Sequence, residues 1–117
     1  MSPLEVKDRG LHDLVADNAP LERVAGGFAF TEGPVWRGNY LLFSDIPNKR
    51  IARWRRLAEG PELTTYATGM SNGLTLDRRG QVLAAEHDGR RVTRVADDGT
   101  RTVLAERFEG KRLNSPN

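Results

Sequence analysis

Glu32, Asn72 and Asn117 are the residues whose type and spacing could do chemistry. They lie 40 and 45 residues apart, and a glycine follows each of the first two. A carboxylate and two carboxamides brought to one point would suit a hard cation. Calcium takes about 6 to 8 oxygen ligands from Asp, Glu, Asn and water. The chain has no cysteine, so disulfides, thiolate zinc sites and cysteine nucleophiles are excluded within it. It has no pair of histidines at metal-binding spacing, which argues against zinc held by these residues alone. Gly69-Met70-Ser71-Asn72-Gly73 spells Gly-x-Ser-x-Gly, but it leads into the strand "NGLTLD" rather than a helix, so it is not a nucleophile elbow and a serine triad is disfavoured. On spacing alone a second account stays open. Glu32 could be a strand-end carboxylate and the asparagines ordinary turn formers.

Such residues need elements that carry them to one place. The strands repeat. "NYLLFSD" and "RIARW" are followed, about 41 residues on, by "QVLAAEH" and "RVTRV". Matched positions share character: Leu42 with Leu83, Asp45 with Glu86, Arg50 with Arg91, Ile51 with Val92. Each unit has a leading strand, "EGPVW" or "NGLTLD", and a trailing strand, "ELTTYA" or "TRTVLA". Arg37-Gly38 and Arg79-Gly80 supply corresponding turns, and Asp88-Gly89 and Asp98-Gly99 supply others. Four short antiparallel strands per unit of this length is the period of a β-propeller blade. A sandwich of eight strands is the alternative, but it does not require matched residues at a fixed offset. In a propeller the leading strands surround the central axis. The same position in successive blades then faces one channel, and Glu32-Gly33, Asn72-Gly73 and Asn117 are such positions.

The fold class is therefore all-β, with two blades in residues 21–117 and a third opening at Leu113–Asn117. Residues 1–20 read as a leader. Leu11, Leu14 and Val15 have helical spacing and Asn18-Ala19-Pro20 stops the run, which predicts one short helix packed on a larger body. The net charge of +2 gives no argument for nucleic acid or an acidic membrane as partner. Arg53, Arg55 and Arg56, like Arg90 and Arg91, fall beside predicted turns and read as solvated loops. No apolar signal core opens the chain and no run reaches the length of a membrane span, so a cytoplasmic protein is expected.

"FTEGPVW", "LLFSDIPNKRIARW", "SNGLTLDRRGQVLAAEH", "RRVTR" and "FEGKRLNSPN", in that order, resemble the gluconolactonase branch of the SMP-30/gluconolactonase/luciferin-regenerating-enzyme-like family. The resemblance runs from about Leu21 to Asn117. It implies a six-bladed β-propeller with a divalent cation, usually calcium, in the channel, and hydrolysis of sugar lactones. It implies that Glu32 is a metal ligand and that Asn117 lies at the metal and substrate position. Asn72 matches a channel-lining position and is a candidate for substrate binding. The remaining ligands and the carboxylate base are expected beyond Asn117, so no catalytic residue is assigned within this chain.

His87, after Glu86 at a strand end, could contact substrate or be a hydrogen-bonded loop residue. Asp45 and Glu86 suggest a repeated structural bond with Arg50 and Arg91. Trp36 and Trp54 fit packing between blades. Lys111 and Arg112 fit a solvated loop better than a substrate contact. A non-enzymatic propeller that only binds partners is the competing function, because fold does not fix function. Two blades also leave unpaired edges and uncovered apolar faces, which predicts poor stability alone or self-association.

Overall fold

Alternating apolar and polar residues, punctuated by turn formers, build two antiparallel sheets of four strands each. The computed structural model describes residues 3–117. In the first blade β1 (Thr31–Arg37), β2 (Tyr40–Asp45), β3 (Arg50–Leu57) and β4 (Gly60–Thr68) pair in sequence order. In the second, β5 (Leu74–Leu76), β6 (Val82–Glu86), β7 (Arg91–Val95) and β8 (Arg101–Ala105) do the same. A two-stranded ladder of β9 (Arg107–Phe108) and β10 (Lys111–Arg112) follows. Leu113–Asn117 forms no strand.

The repeat extends to the backbone. Lys49 and Arg90, in equivalent turns, both have φ of 54°. The register slips between Ile51 and Ala52 in one blade, and between Val92 and Thr93 in the other. Conserving a left-handed residue and a bulge at the same step along both units identifies them as copies of one design.

The blades pack face to face. Leu42 and Ile51 of the first meet Val82, Ala84 and Val95 of the second, all at most 1% exposed. Burying each larger aliphatic side chain contributes about 1.5–3 kcal/mol. On the opposite face of the first blade Phe43, Ala52 and Trp54 form a second cluster. The segment just before β1 covers it: Phe28 meets Phe43 edge-on with ring centroids 4.9 Å apart, and the Arg50 guanidinium lies over Phe28.

Polar contacts then fix the blades. Arg37, at the end of β1, reaches the second blade, where its Nε donates to Gly80 O at 2.9 Å and its Nη1 to Asp97 at 2.6 Å. The Tyr66 hydroxyl donates to the same carboxylate at 2.9 Å. Burial, and the hydrogen bond to Asp97, push the Tyr66 phenol up to about 12. Asp45 is fully buried and accepts from Ala29 N, Asn48 and Arg50. Burial alone would raise its carboxyl, but the donors from Asn48, Phe30, Ala29 and Arg50 outweigh it and hold the group below its ordinary value. Glu86 is paired with Arg91 at 2.9 Å, and Asp45 with Arg50 at 3.4 Å. The repeated acid–arginine bond is present in both blades.

Several local expectations change. The leader forms a five-residue 3₁₀ helix, Arg9–Asp13, with Asp8 as its cap, and Leu14 is 82% exposed rather than packed. Gly10 beside the Asp8 cap, where it donates to the carboxylate at 2.7 Å, favours a tight turn over a sustained α-helix. Arg53, Arg55 and Arg56 lie within β3 rather than in a loop. Arg53 and Arg55 pair with Glu62 on β4, and Arg56 pairs with Glu22. Arg91 likewise begins β7. Trp54 is buried, but Trp36 is 56% exposed and does not pack between the blades.

Two outcomes are expected. Asp45→Ala should lower stability by about 2–3 kcal/mol at neutral pH, because charge-assisted donors lose their acceptor inside the protein. A depressed carboxyl contributes stability above its unfolded value near 3.8 and loses it as pH falls through the folded value. Urea unfolding at pH 7 and below pH 4 should therefore show the variant's deficit shrinking in acid. Tyr66 has the opposite sign: its contribution is whole below an unfolded value of 10 and disappears as pH rises through about 12. Tyr66→Phe should flatten the alkaline limb of the stability profile.

Candidate metal and substrate channel

"FTEGPVW" forms a bulged inner strand. Glu32 pairs with Ser44, but the register has slipped by Val35, which pairs with Leu42. Gly33 and Pro34 occupy the slip. Proline gives no ladder donor and so fits a bulge. The Gly33 φ of +59° is one that side chains rarely adopt. The bulge re-aims Glu32 out of the regular alternation. Its Oε2 accepts from Gly33 N at 2.9 Å, and the side chain lines a cleft of about 410 Å³ with Phe28, Pro34, Leu41 and Phe43.

Gly33 is also where the two blades come closest. A methyl group built on it would stand 2.4 Å from Asn72 O and 2.7 Å from Leu74 N. The next approach repeats this: a methyl group on Gly73 would stand 3.1 Å from the Asn117 carbonyl carbon. The backbones carrying Glu32, Asn72 and Asn117 therefore lie side by side in a row. Asn72 is held from both flanks. Its N–H donates to Ala85 O at 2.8 Å, and its carbonyl accepts from Ser44 Oγ at 2.8 Å. Ser71 lies 2.9 Å from the same Ser44 hydroxyl, and both serines are buried.

Asn72 and His87 are half-buried, and Asn117 is exposed. Asn72 Oδ1 is a buried acceptor with no hydrogen-bond partner among the described residues, and so is His87 Nδ1. A buried amide oxygen without a donor is costly unless something else satisfies it. A substrate hydroxyl or a cation would do so. The donor set here is oxygen only and suits calcium chemistry. Among the described residues no three His, Asp or Glu side chains gather at one point. A cation at this place would thus depend on one carboxylate with carboxamide oxygens, water and further ligands.

Ser44 and Ser71 are positioning residues that the sequence reading did not single out. The signal was available. Ser44 sits two residues after Leu42 in an alternating strand, and so faces the second blade along with it. Lys111 and Arg112 form β10, and Arg112 donates to Gly89 O at 2.7 Å.

Residues 30–117 match the model of the SMP-30/gluconolactonase/LRE-like region. The chain belongs to this family. It is 32% identical over 123 residues to a gluconolactonase of Zymomonas mobilis subsp. mobilis, covering 90% of this chain and 34% of that protein. It is similar to the structure of a gluconolactonase from Xanthomonas campestris, with TM-score 0.70, 33% identity, and coverage of 77% of this chain and 31% of the other. A second solved structure, from a structural-genomics target in the gluconolactonase family, aligns with TM-score 0.80 and 34% identity. That alignment covers 95% of this chain and 39% of the other. The chain thus spans little more than a third of these family members at most. The fold is the family's β-propeller, seen here as two blades of six.

Gly33→Ala should separate the inner strands, since the new methyl meets backbone that cannot yield. A loss of about 3 kcal/mol is expected from strain and overpacking together. Gly38→Ala, where φ is +70° but nothing lies within 4 Å, isolates the conformational part of that cost. Equal losses in the two variants, measured by urea unfolding, would contradict the close approach.

Proposed function

We propose that this chain forms the first two blades of a metal-dependent sugar-lactone hydrolase. The observation that carries the reading is the row of inner-strand backbones that brings the Glu32, Asn72 and Asn117 positions together. Membership of a family with gluconolactonase relatives supplies the substrate class. Glu32, with Asn117, would hold a divalent cation, and their oxygen donors suit calcium. When bound, such a cation polarises an ester carbonyl and stabilises the charge that develops on its oxygen.

This chain's own residues then orient and shape. The Gly33 bulge aims the carboxylate. Ser44 and Ser71 fix the Asn72 backbone, so that its amide oxygen is presented without rotating the strand. Asn72, Asn117 and His87 are the proposed substrate contacts, able to address the hydroxyl groups of a sugar lactone. Proton removal from the attacking water requires a base, which we assign to a part of the channel outside these two blades. We further propose a cytoplasmic location. Among the described residues no helix is long and apolar enough to cross a membrane.

The test is a chimera in which this chain replaces the corresponding blades of the Zymomonas mobilis relative, assayed on glucono-1,5-lactone. Activity should require a divalent cation and vanish with chelator. Glu32→Gln should reduce it by about 100-fold or more, in line with loss of a metal ligand. Full activity in Glu32→Gln would remove the carboxylate from the site. Activity unaffected by chelator would remove the metal from the reaction. A folded chimera with no hydrolysis under any condition would favour the binding-scaffold function instead.

A further inference from the structure

Two segments lead to the asparagines of the row, and the same kind of contact holds each. Four residues before Asn72, the Thr68 carbonyl accepts from Arg101 Nη2 at 2.8 Å. Four residues before Asn117, the Leu113 carbonyl accepts from Arg90 Nε at 2.7 Å. Both guanidiniums belong to the second blade. A bond with an ionised donor is stronger than one between neutral groups. Each segment also has a second tether to a turn. Gly69 N donates to Lys49 O at 2.8 Å, and Arg112 Nη2 donates to Gly89 O at 2.7 Å. Lys49 and Arg90 are the equivalent left-handed residues of the turns after β2 and β6, both with φ of 54°. In each blade, then, this turn holds the segment that carries the next asparagine.

The second joint differs from the first. After β2 the turn uses a backbone carbonyl. After β6 the exchange runs through side chains in both directions: Arg90 reaches from turn to segment, and Arg112 from segment to turn. The same turn holds His87, whose Nδ1 is buried without a hydrogen-bond partner among the described residues. Leu113–Asn117 has no strand ladder of its own. Its start is fixed by Arg90 and by Leu113 N, which donates to Glu106 O, and its end by the close approach at Gly73. Arg90 and Arg112, expected in solvated loops, thus have defined partners.

We propose that Arg90 and Arg112 form a clamp that sets Asn117 relative to His87, and that Arg90 is thereby a positioning residue for binding of the sugar lactone. The clamp rests on the two hydrogen bonds, and the identity of the ligand rests on the lactonase reading above. Arg90 acts through the segment, because its Nε is committed to Leu113 O. Without that bond the segment keeps its contact at Gly73 but loses its tie to the turn. Asn117 and His87 then move independently, and a ligand that must meet both binds less tightly. Outer contacts that orient binding groups are commonly worth about 10- to 100-fold.

Arg90→Met removes the donor at similar length, and Arg90→Lys returns one. Lys49 shows that lysine adopts this left-handed turn. Trypsin reads the clamp directly, because it must draw the Arg112 side chain away from Gly89 O to cut the Arg112–Leu113 bond. In this chain that cut should be about tenfold faster in Arg90→Met, as expected for losing one charge-assisted hydrogen bond. Cleavage after Arg94, inside β7, should keep its rate, and Arg90→Lys should restore most of the protection. An unchanged cut at Arg112, or equal acceleration at both sites, would overturn the clamp. In the chimera with the Zymomonas mobilis relative, Arg90→Met should raise KM for glucono-1,5-lactone about tenfold while kcat changes by less than about threefold. Arg90→Lys should bring KM back down. Faster cleavage with KM unchanged would make Arg90 a structural residue only and overturn its positioning role. A folded, unaltered chimera that hydrolyses nothing would remove the lactonase reading, and the ratio of the two cleavage rates would still decide the clamp.

Discussion

Two glycines set how near the inner strands can come, and the spacing of the Glu32, Asn72 and Asn117 backbones depends on them. At Gly33 the first blade touches the backbone of Asn72–Leu74, and at Gly73 the second touches Asn117. A side chain at Gly33 would push the two blades apart, and one at Gly73 would press on the Asn117 backbone. The apolar faces behind them supply most of the favourable free energy, but they do not determine this spacing. Leu42 and Ile51 would bury against Val82 and Val95 over a range of tilts. Glycine contact at one end, and the Arg37–Asp97–Tyr66 clasp at the other, select one tilt. Structure and chemistry thus meet at positions where the side chain is only hydrogen.

Bulges carry the second constraint. The slip between Glu32 and Val35 breaks the alternation of the inner strand just after its carboxylate. The equivalent strand of the second blade has no such slip in its pairing from Leu74 to Leu76. There the oxygen-bearing residue, Asn72, lies just before the strand and is secured by Ser44 and Ala85. The two inner strands therefore hold their polar residues by different local means. Exact repetition would have supplied identical groups, and a site for an asymmetric ligand needs different ones.

The repeat was legible in the sequence because packing enforces it: each blade must offer one face forward and one back. Leu42, Ile51, Leu83 and Val92 followed from that requirement, as did the strands built around them. Asp45 and Glu86 were legible for the same reason, since a buried acid needs a nearby cation. The leader was not legible. Leu11, Leu14 and Val15 have helical spacing, but periodicity reports an amphipathic surface only where a partner surface exists, and Leu14 has none. The arginines of β3 were misread because charge was taken to mean a loop. A strand paired with β4 can carry arginines, because Glu62 stands opposite Arg55 in the register and pairs with both Arg55 and Arg53. Ser44 and Ser71 were missed because hydroxyls carry no pattern. Their importance comes from a neighbour, the Asn72 carbonyl, that is distant in sequence.

A propeller blade is not a self-sufficient folding unit, and this bears on how the site is held. Each sheet is two-sided, so a blade within a ring has neighbours on both faces, whereas each blade here has one blade neighbour. The first blade makes up the difference with the segment that precedes β1. Asp45 binds the backbone of Ala29 directly, and Ile46 N donates to Phe30 O. The second blade uses the equivalent acid differently. Glu86 lies near Arg101, whose other nitrogen donates to Thr68 O, in the strand end that leads into this blade. In both blades an acid at the end of the second strand, directly or through an arginine, grips the chain that enters from before. That grip fixes the approach of the inner strand, and with it the position of Glu32 in one blade and Asn72 in the other. The candidate residues are held by contacts to the preceding segment, so the order of the chain becomes the order of these groups along the row of inner strands.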